Sequence, residues 1–288
     1  MIPGLGRFIA VVLMASLLIG APWHAGIARA EAPPLRIGLL PTIATLSLLR
    51  LYDPLRLHLQ NSLGRKVELY TASSFHTYFA DVEAEEFDMI IAAPHFGVLA
   101  FDRGYVPLFR YKLELRPLVI VPKGSDIRQA QQLRGKRVLT ADRLTALSVV
   151  AESWLRSDYS MEAGRDYALI EASNHSTAIR AVAIGDADAA ISGRSPLTQV
   201  PPEIRSRVET IECRLSVPHQ FTMAHTRLGR DTIDKIRTSL SRFGETDLGK
   251  DFFKASGFLG FVPLEFSDIE TARPYADLVT NMIRSGNN

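Results

Sequence analysis

A strand–loop–helix rhythm that runs through the chain twice constrains the fold more than any other feature of the sequence. Leu35-Arg36-Ile37-Gly38-Leu39-Leu40 is a short apolar run stopped by Pro41, the pattern of a buried strand. Over residues 46–63 apolar side chains recur every three or four positions, which lines one face of a helix, and Gly64 supplies a stop. Residues 67–70 alternate as a second strand, and Ser73 or Ser74 then caps a helix to about Glu86. Residues 88–92 form a third strand cut by Pro94, with a helix over 96–103. The rhythm restarts at Arg116: strands at 116–122, 136–140, 167–171 and 187–192 alternate with helices at 125–133, 145–156 and 176–185. After Pro218 a strand through Met223 leads into helices near 231–243, 248–255 and 267–283.

Strands alternating with helices predict parallel βαβ units. Two such blocks with a late helical return predict two lobes, each a mostly parallel sheet flanked by helices. Lobe 1 is expected to comprise residues 31–115 plus 220–288, and lobe 2 residues 116–219. The chain crosses between them near 115–117 and 217–220, at two hinge crossings.

Residues 1–30 are read as a signal peptide. Arg7 precedes an apolar stretch over 8–21, and Ala28-Arg29-Ala30 has the small-x-small form of a cleavage site. The stretch falls short of the roughly 20 residues a membrane span needs. Glu31 is then the mature N-terminus, and the expected location is the periplasm. Without Arg7 and Arg29 the basic residues fall from 33 to 31, against 31 acidic ones. A neutral chain with no Lys/Arg block argues against nucleic acid and against polybasic docking on membranes. Cys213 is the single cysteine, so no internal disulfide can form and the fold must rest on its core.

In open parallel sheets, ligands sit beyond the carboxyl ends of the strands, where helix N-termini favour anions. The strand-to-helix loops therefore supply the candidate ligand-binding residues: Thr42, Ser74, His95, Arg143, Thr145, Asn174, His175, Ser192 and Arg194. Taken singly, a Ser, Thr or Asn before a helix is an ordinary N-cap. The joint pattern of hydroxyl, amide, imidazole and guanidinium groups carries the inference, and Arg is the natural bidentate partner of a carboxylate or phosphonate. Catalytic and metal readings are disfavoured. The histidines show no i, i+4 pair, one cysteine cannot form a thiolate cage, and neither a GxSxG elbow nor a P-loop is present. No enzyme activity, cofactor or metal is expected.

With those loops in place, the chain resembles the periplasmic binding proteins of ABC transporters for phosphate, phosphite and phosphonate. The landmarks run in order: residues 35–41, Pro54-Leu55 ahead of Leu63-Gly64, residues 87–94, residues 116–121, Leu133-Arg134-Gly135-Lys136, Asn174-His175 with the helix and strand over 181–189, and residues 204–219. The resemblance implies a type II periplasmic binding fold, in which two lobes close on a ligand. His175 matches the loop histidine of that family. Elsewhere the chain departs from it. The family's Ser-x-Ser-Gly helix start is Leu144-Thr145-Ala146-Leu147 here, Gly97 stands where an aromatic is expected, and Ser192 or Gly193 replaces an acidic residue. The scaffold thus carries over while the phosphonate chemistry does not follow from it.

The function these readings imply is solute capture for an ABC-type importer. The ligand is a small anion, phosphonate-like or another oxyanion, the partner a membrane permease, and the protein a monomer. The alternative is a ligand-sensing or docking protein of the same fold that signals to a membrane sensor kinase.

Overall fold

The computed structural model describes residues 32–285, so the signal peptide read from residues 1–30 lies outside the described residues. The chain first lays down three strand–helix units: β1 (Leu35–Leu39) with α1 (Thr45–Leu63), β2 (Val67–Thr71) with α2 (Phe75–Glu83), and β3 (Met89–Ala92) with α3 (Pro94–Phe101). β4 (Tyr105–Tyr111) and the short β5 (Glu114–Leu115) follow. A second series holds β6 (Pro117–Pro122), β7 (Arg137–Thr140) with α4 (Ala146–Tyr159), and β8 (Ala168–Glu171) with α5 (His175–Ile184). It continues through β9 (Ala189–Gly193), α6 (Arg194–Gln199), α7 (Pro202–Arg205) and β10 (Val208–Glu212). The return brings β11 (Val217–Pro218), β12 (Phe221–His225), α8 (Arg230–Phe243), α9 (Asp247–Ser256), β13 (Phe261–Pro263) and α10 (Phe266–Ser285).

Local sequence explains where several elements start and stop. Gly64 and Gly185 end α1 and α5 in left-handed conformations, at φ 58° and 86°, which cost a glycine little. Thr145, Asn174 and Thr246 cap α4, α5 and α9 by accepting the backbone N–H three residues on. α1 runs through Pro54 and α10 through Pro274, each forgoing one internal donor. Among the described residues no helix is long and apolar enough to cross a membrane.

The strands form a six-stranded sheet, ordered β13-β4-β12-β3-β1-β2, and a five-stranded sheet, ordered β10-β6-β9-β7-β8. Both are mixed rather than mostly parallel. β1 pairs in parallel with β2 and β3, and β7 with β8 and β9. The remaining pairings, β12 to β3 and β4, β13 to β4, and β6 to β9 and β10, are antiparallel. The parallel parts are the βαβ units the rhythm predicts. The antiparallel pairings join strands distant in the chain, β3 and β4 with β12, β4 with β13, and β6 with β9 and β10, which the local strand–helix rhythm does not signal.

Besides the short β5 and β11 at the crossings, β4, β10 and β13 are absent from the sequence expectation. β4 contains Pro107, which argues against a strand, but Pro107 lies opposite Met223 where the register with β12 shifts. β10 and β13 are edge strands. The helix expected over 125–133 is only a 3-10 turn at Ala130–Leu133.

Four apolar clusters hold these layers. One, against α2, α3 and α10, contains Tyr78, Phe96, Phe221 and Ile269. A second packs α1, α8 and α9 on the other face of the first sheet, through Leu55, Ile236 and Phe252. The last two flank the second sheet, with Trp154 and Cys213 on one face and Ile179 and Val182 on the other. Burial pushes the Cys213 thiol up to about 11. β5 and β11 form their own ladder, Leu115 opposite Val217 and Glu114 opposite Pro218, so the two passages between the sheets run side by side. Next to it Tyr111 stacks on Phe258 at 4.1 Å, donates to the Tyr52 hydroxyl at 3.1 Å, and meets the His219 ring edge-on at 5.5 Å.

Candidate functional site

Three loops of the first sheet and three of the second leave the carboxyl ends of their strands and enter helix N-termini. His95, in the first turn of α3, is 1% exposed. The Leu144 backbone, from the opposite sheet, lies against its ring. Leu144, Ala146 and Val149 belong to the same apolar cluster as Leu40, Tyr78 and Phe96 of the first sheet. The β3–α3 loop therefore touches the β7–α4 loop, and the seam between them is apolar. His95 Nε2 has no hydrogen-bond partner in it. Burial drives the His95 pKa down to about 3, so the ring is neutral.

On the second sheet the start of α4 is a nest of hydroxyls. Ser148 N donates to Thr145 Oγ1 at 3.2 Å, and the Thr145 and Ser148 hydroxyls lie 3.0 and 2.8 Å from the Asp142 carbonyl they donate to. Thr140 Oγ1 bonds the Ser148 hydroxyl from behind. Asp142 takes the Leu144 N–H at 2.7 Å, and burial raises its carboxyl pKa. These donors and acceptors satisfy one another, so the α4 start offers a ligand fewer free hydroxyls than its composition suggests. Beside it, at the ends of β8 and β9, His175 Nδ1 and Ser192 Oγ lie 3.2 Å apart. Ser192 is fully buried, and burial lowers the His175 pKa to about 4.

The remaining candidates are engaged locally. Ser74 caps α2 by accepting from Thr77 N at 3.0 Å, and Asn174 caps α5 by accepting from Thr177 N at 2.9 Å. Thr42 is exposed beyond β1, ahead of an α1 whose N-cap, Ala44, offers no side-chain cap. Arg143 donates to Glu152 at 2.9 Å and its backbone N–H to Glu171 at 2.9 Å. It also lines a cavity of about 830 Å³ against the last turns of α10, with Asn281, Met282 and Arg284. Arg194 is paired with Glu212 at 2.6 Å and largely exposed. The structure thus brings together His175 with Ser192, and His95 with the Leu144–Thr145 corner, and leaves both arginines in ion pairs, Arg143 in a largely buried one and Arg194 in an exposed one. Sequence reasoning missed Ser148 and Thr140, which complete the hydroxyl nest, and Glu152, which holds Arg143. The Thr145-x-x-Ser148 spacing was the available signal for the first. Among the described residues no group of three or more His, Cys, Asp or Glu side chains could hold a metal ion.

A sequence model of the phosphonate periplasmic substrate-binding proteins of ABC transporters matches residues 37–269. Solved structures share the fold at low identity. A binding protein component of an ABC phosphonate transporter from Pseudomonas aeruginosa is 15% identical, with 90% of each chain covered and a TM-score of 0.73. PhnD1 from Prochlorococcus marinus, in complex with methylphosphonate, is 13% identical over 85% of this chain and 98% of that one, with a TM-score of 0.72. The alkanesulfonate-binding protein SsuA from Xanthomonas axonopodis, bound to MOPS, is 17% identical over 88% and 94%, with a TM-score of 0.56. The architecture is that of type II periplasmic binding proteins.

Proposed function

The chain belongs to the family of periplasmic substrate-binding proteins of phosphonate ABC transporters, and on that premise we propose that it captures a small oxyanion between two lobes. Members of this family are the solute-binding components of ABC importers; they work in the periplasm with a membrane permease. The lobes are residues 31–115 with 220–288, and residues 116–219, closing about the paired crossings at 115–117 and 217–220. The contact of His95 on one sheet with Leu144 on the other carries this reading, because it brings the anion-favouring ends of both sheets to one seam. His175, Ser192 and Thr145 form the centre of the site and His95 faces them. Thr42, Ser74 and Asn174 lie at its edge. Arg143 and Arg194 reach a ligand only by exchanging Glu152 and Glu212 for it. The methylphosphonate of PhnD1 and the MOPS of SsuA both carry a tetrahedral oxyanion head, the ligand class favoured here.

The ligand is bound as a monomer's solute and released unchanged. Ser192 beside His175 has the look of a nucleophile and its base, but an imidazole held near 4 is a weak base at neutral pH, where catalysis wants a pKa near 7. The deciding experiment is a thermal-shift screen of the mature protein with phosphate, phosphite, methylphosphonate and short alkanesulfonates. A ligand at 100 times its Kd adds about 2.7 kcal/mol. His175→Ala then weakens the hit about tenfold or more, the loss of one charge-assisted hydrogen bond. Stabilisation by cations alone, or an affinity indifferent to His175→Ala, would overturn the reading.

A further inference from the structure

His95 stands out among the six described histidines because it is buried, with Nε2 unpartnered, beside an apolar cluster that joins residues of both sheets. Its own helix contributes the Phe96 ring at 4.4 Å, while the Leu144 backbone of the second sheet lies against it, and Leu144, Ala146 and Val149 share an apolar cluster with Phe96. The charged and titratable groups around it are engaged elsewhere. Asp142 accepts from Leu144 N, Glu171 from Arg143 N, and Arg143 is paired with Glu152. On its own side the Tyr78 hydroxyl donates to the Gly38 carbonyl. Tyr275 of α10, also packed on the cluster, is turned to other electrostatic neighbours, Cys213 and Arg214. No carboxylate is therefore at hand to receive a charged imidazole, and Nε2 already lacks a partner.

We propose that His95 is a proton-sensitive latch on the seam: the two sheets' loops close over the neutral ring only, and taking up a proton releases them. The inference rests on the two-lobe reading above. Once the seam parts, water reaches His95 and its basicity returns to that of a free imidazole. One site whose proton affinity differs between two states makes the equilibrium between those states pH-dependent. With values of about 3 in the shut state and 6.5 in the open one, the open-to-shut ratio rises about thirtyfold between pH 7.5 and pH 5. Acid in the periplasm would then weaken ligand retention by opening the seam.

The test follows the His95 imidazole resonance by NMR, assigned as the one lost in His95→Gln, in the wild type and in two variants that wedge the seam with a neutral side chain, Ala146→Trp and Val149→Trp. Small-angle scattering on each variant reports whether the wedge has opened the molecule. The expected result is a wild-type His95 that titrates well below 5, and a value near 6.5 in a wedged variant whose radius of gyration has grown. If neither folded wedge enlarges the molecule, the two-lobe reading fails and the latch with it. If a wedge opens the molecule but His95 stays depressed, its burial is local and the latch alone is overturned. A wild-type His95 that titrates near 6.5 overturns the latch as well.

Discussion

His95 and His219 are buried and His175 is half-buried, all three as neutral rings, and that sets the acid limit of the protein. Their pKa values are pushed down to about 3, 4 and 4, whereas an unfolded histidine sits at 6.5. As pH falls through 6.5 the unfolded chain takes up protons that the folded chain refuses until pH 4 or below. Stability is therefore full above pH 6.5 and is lost on the way down. By pH 5 each ring costs up to about 2 kcal/mol. Urea midpoints at pH 7.5 and pH 5 should show this fall, and His219→Gln should reduce it; equal midpoints would contradict it. Thr145→Ala removes a cap and should cost about 1 kcal/mol by the same denaturation measurement. The capping roles of Ser74, Thr145 and Asn174 were legible from one residue type before a helix. The fates of Arg143 and Arg194 were not, because Glu152 lies far along α4 and Glu212 on another strand. Only the folded chain brings those partners within hydrogen-bond reach.

Among the elements, two glycines near the α8–α9 turn make opposite predictions. A Cβ on Gly249 would lie 1.8 Å from the Phe243 carbonyl oxygen, a backbone atom that cannot move without shifting the end of α8. Gly249→Ala should therefore lower the melting temperature by several degrees, on a loss of about 1–3 kcal/mol. At Gly244 the nearest atom, on the Phe253 ring, is 3.5 Å away, and its φ of −63° suits any residue. Gly244→Ala should be neutral or should stabilise by up to about 1 kcal/mol through the unfolded chain. The turn between these helices was readable in outline from their amphipathic spacing; the close approach was not. The same limit applied to the sheets. β1 to β3 and β7 to β9 announced themselves through intervening helices, while β4, with Pro107, and the edge strands β10 and β13 are defined by the neighbours they pair with. Proline misled in the other direction for none of the long helices: the apolar spacing of α1 outweighed Pro54.

For the whole molecule, the exported protein should begin at Glu31, and intact-mass measurement of periplasmic material checks it; a mass that retains residues 1–30 would refute the cleavage reading. The mixed sheets and their paired crossings also bear on a residue with no part in the ligand site. Cys213 is the only thiol in the sequence, fully buried and held largely protonated, and its backbone is pinned between Pro117 and Arg116 just ahead of β11. An alkylating reagent can reach it only while that corner of the second sheet is undone. Its modification rate under native conditions is consequently a clock for local unfolding beside the crossings, needing no engineered label and no knowledge of the ligand.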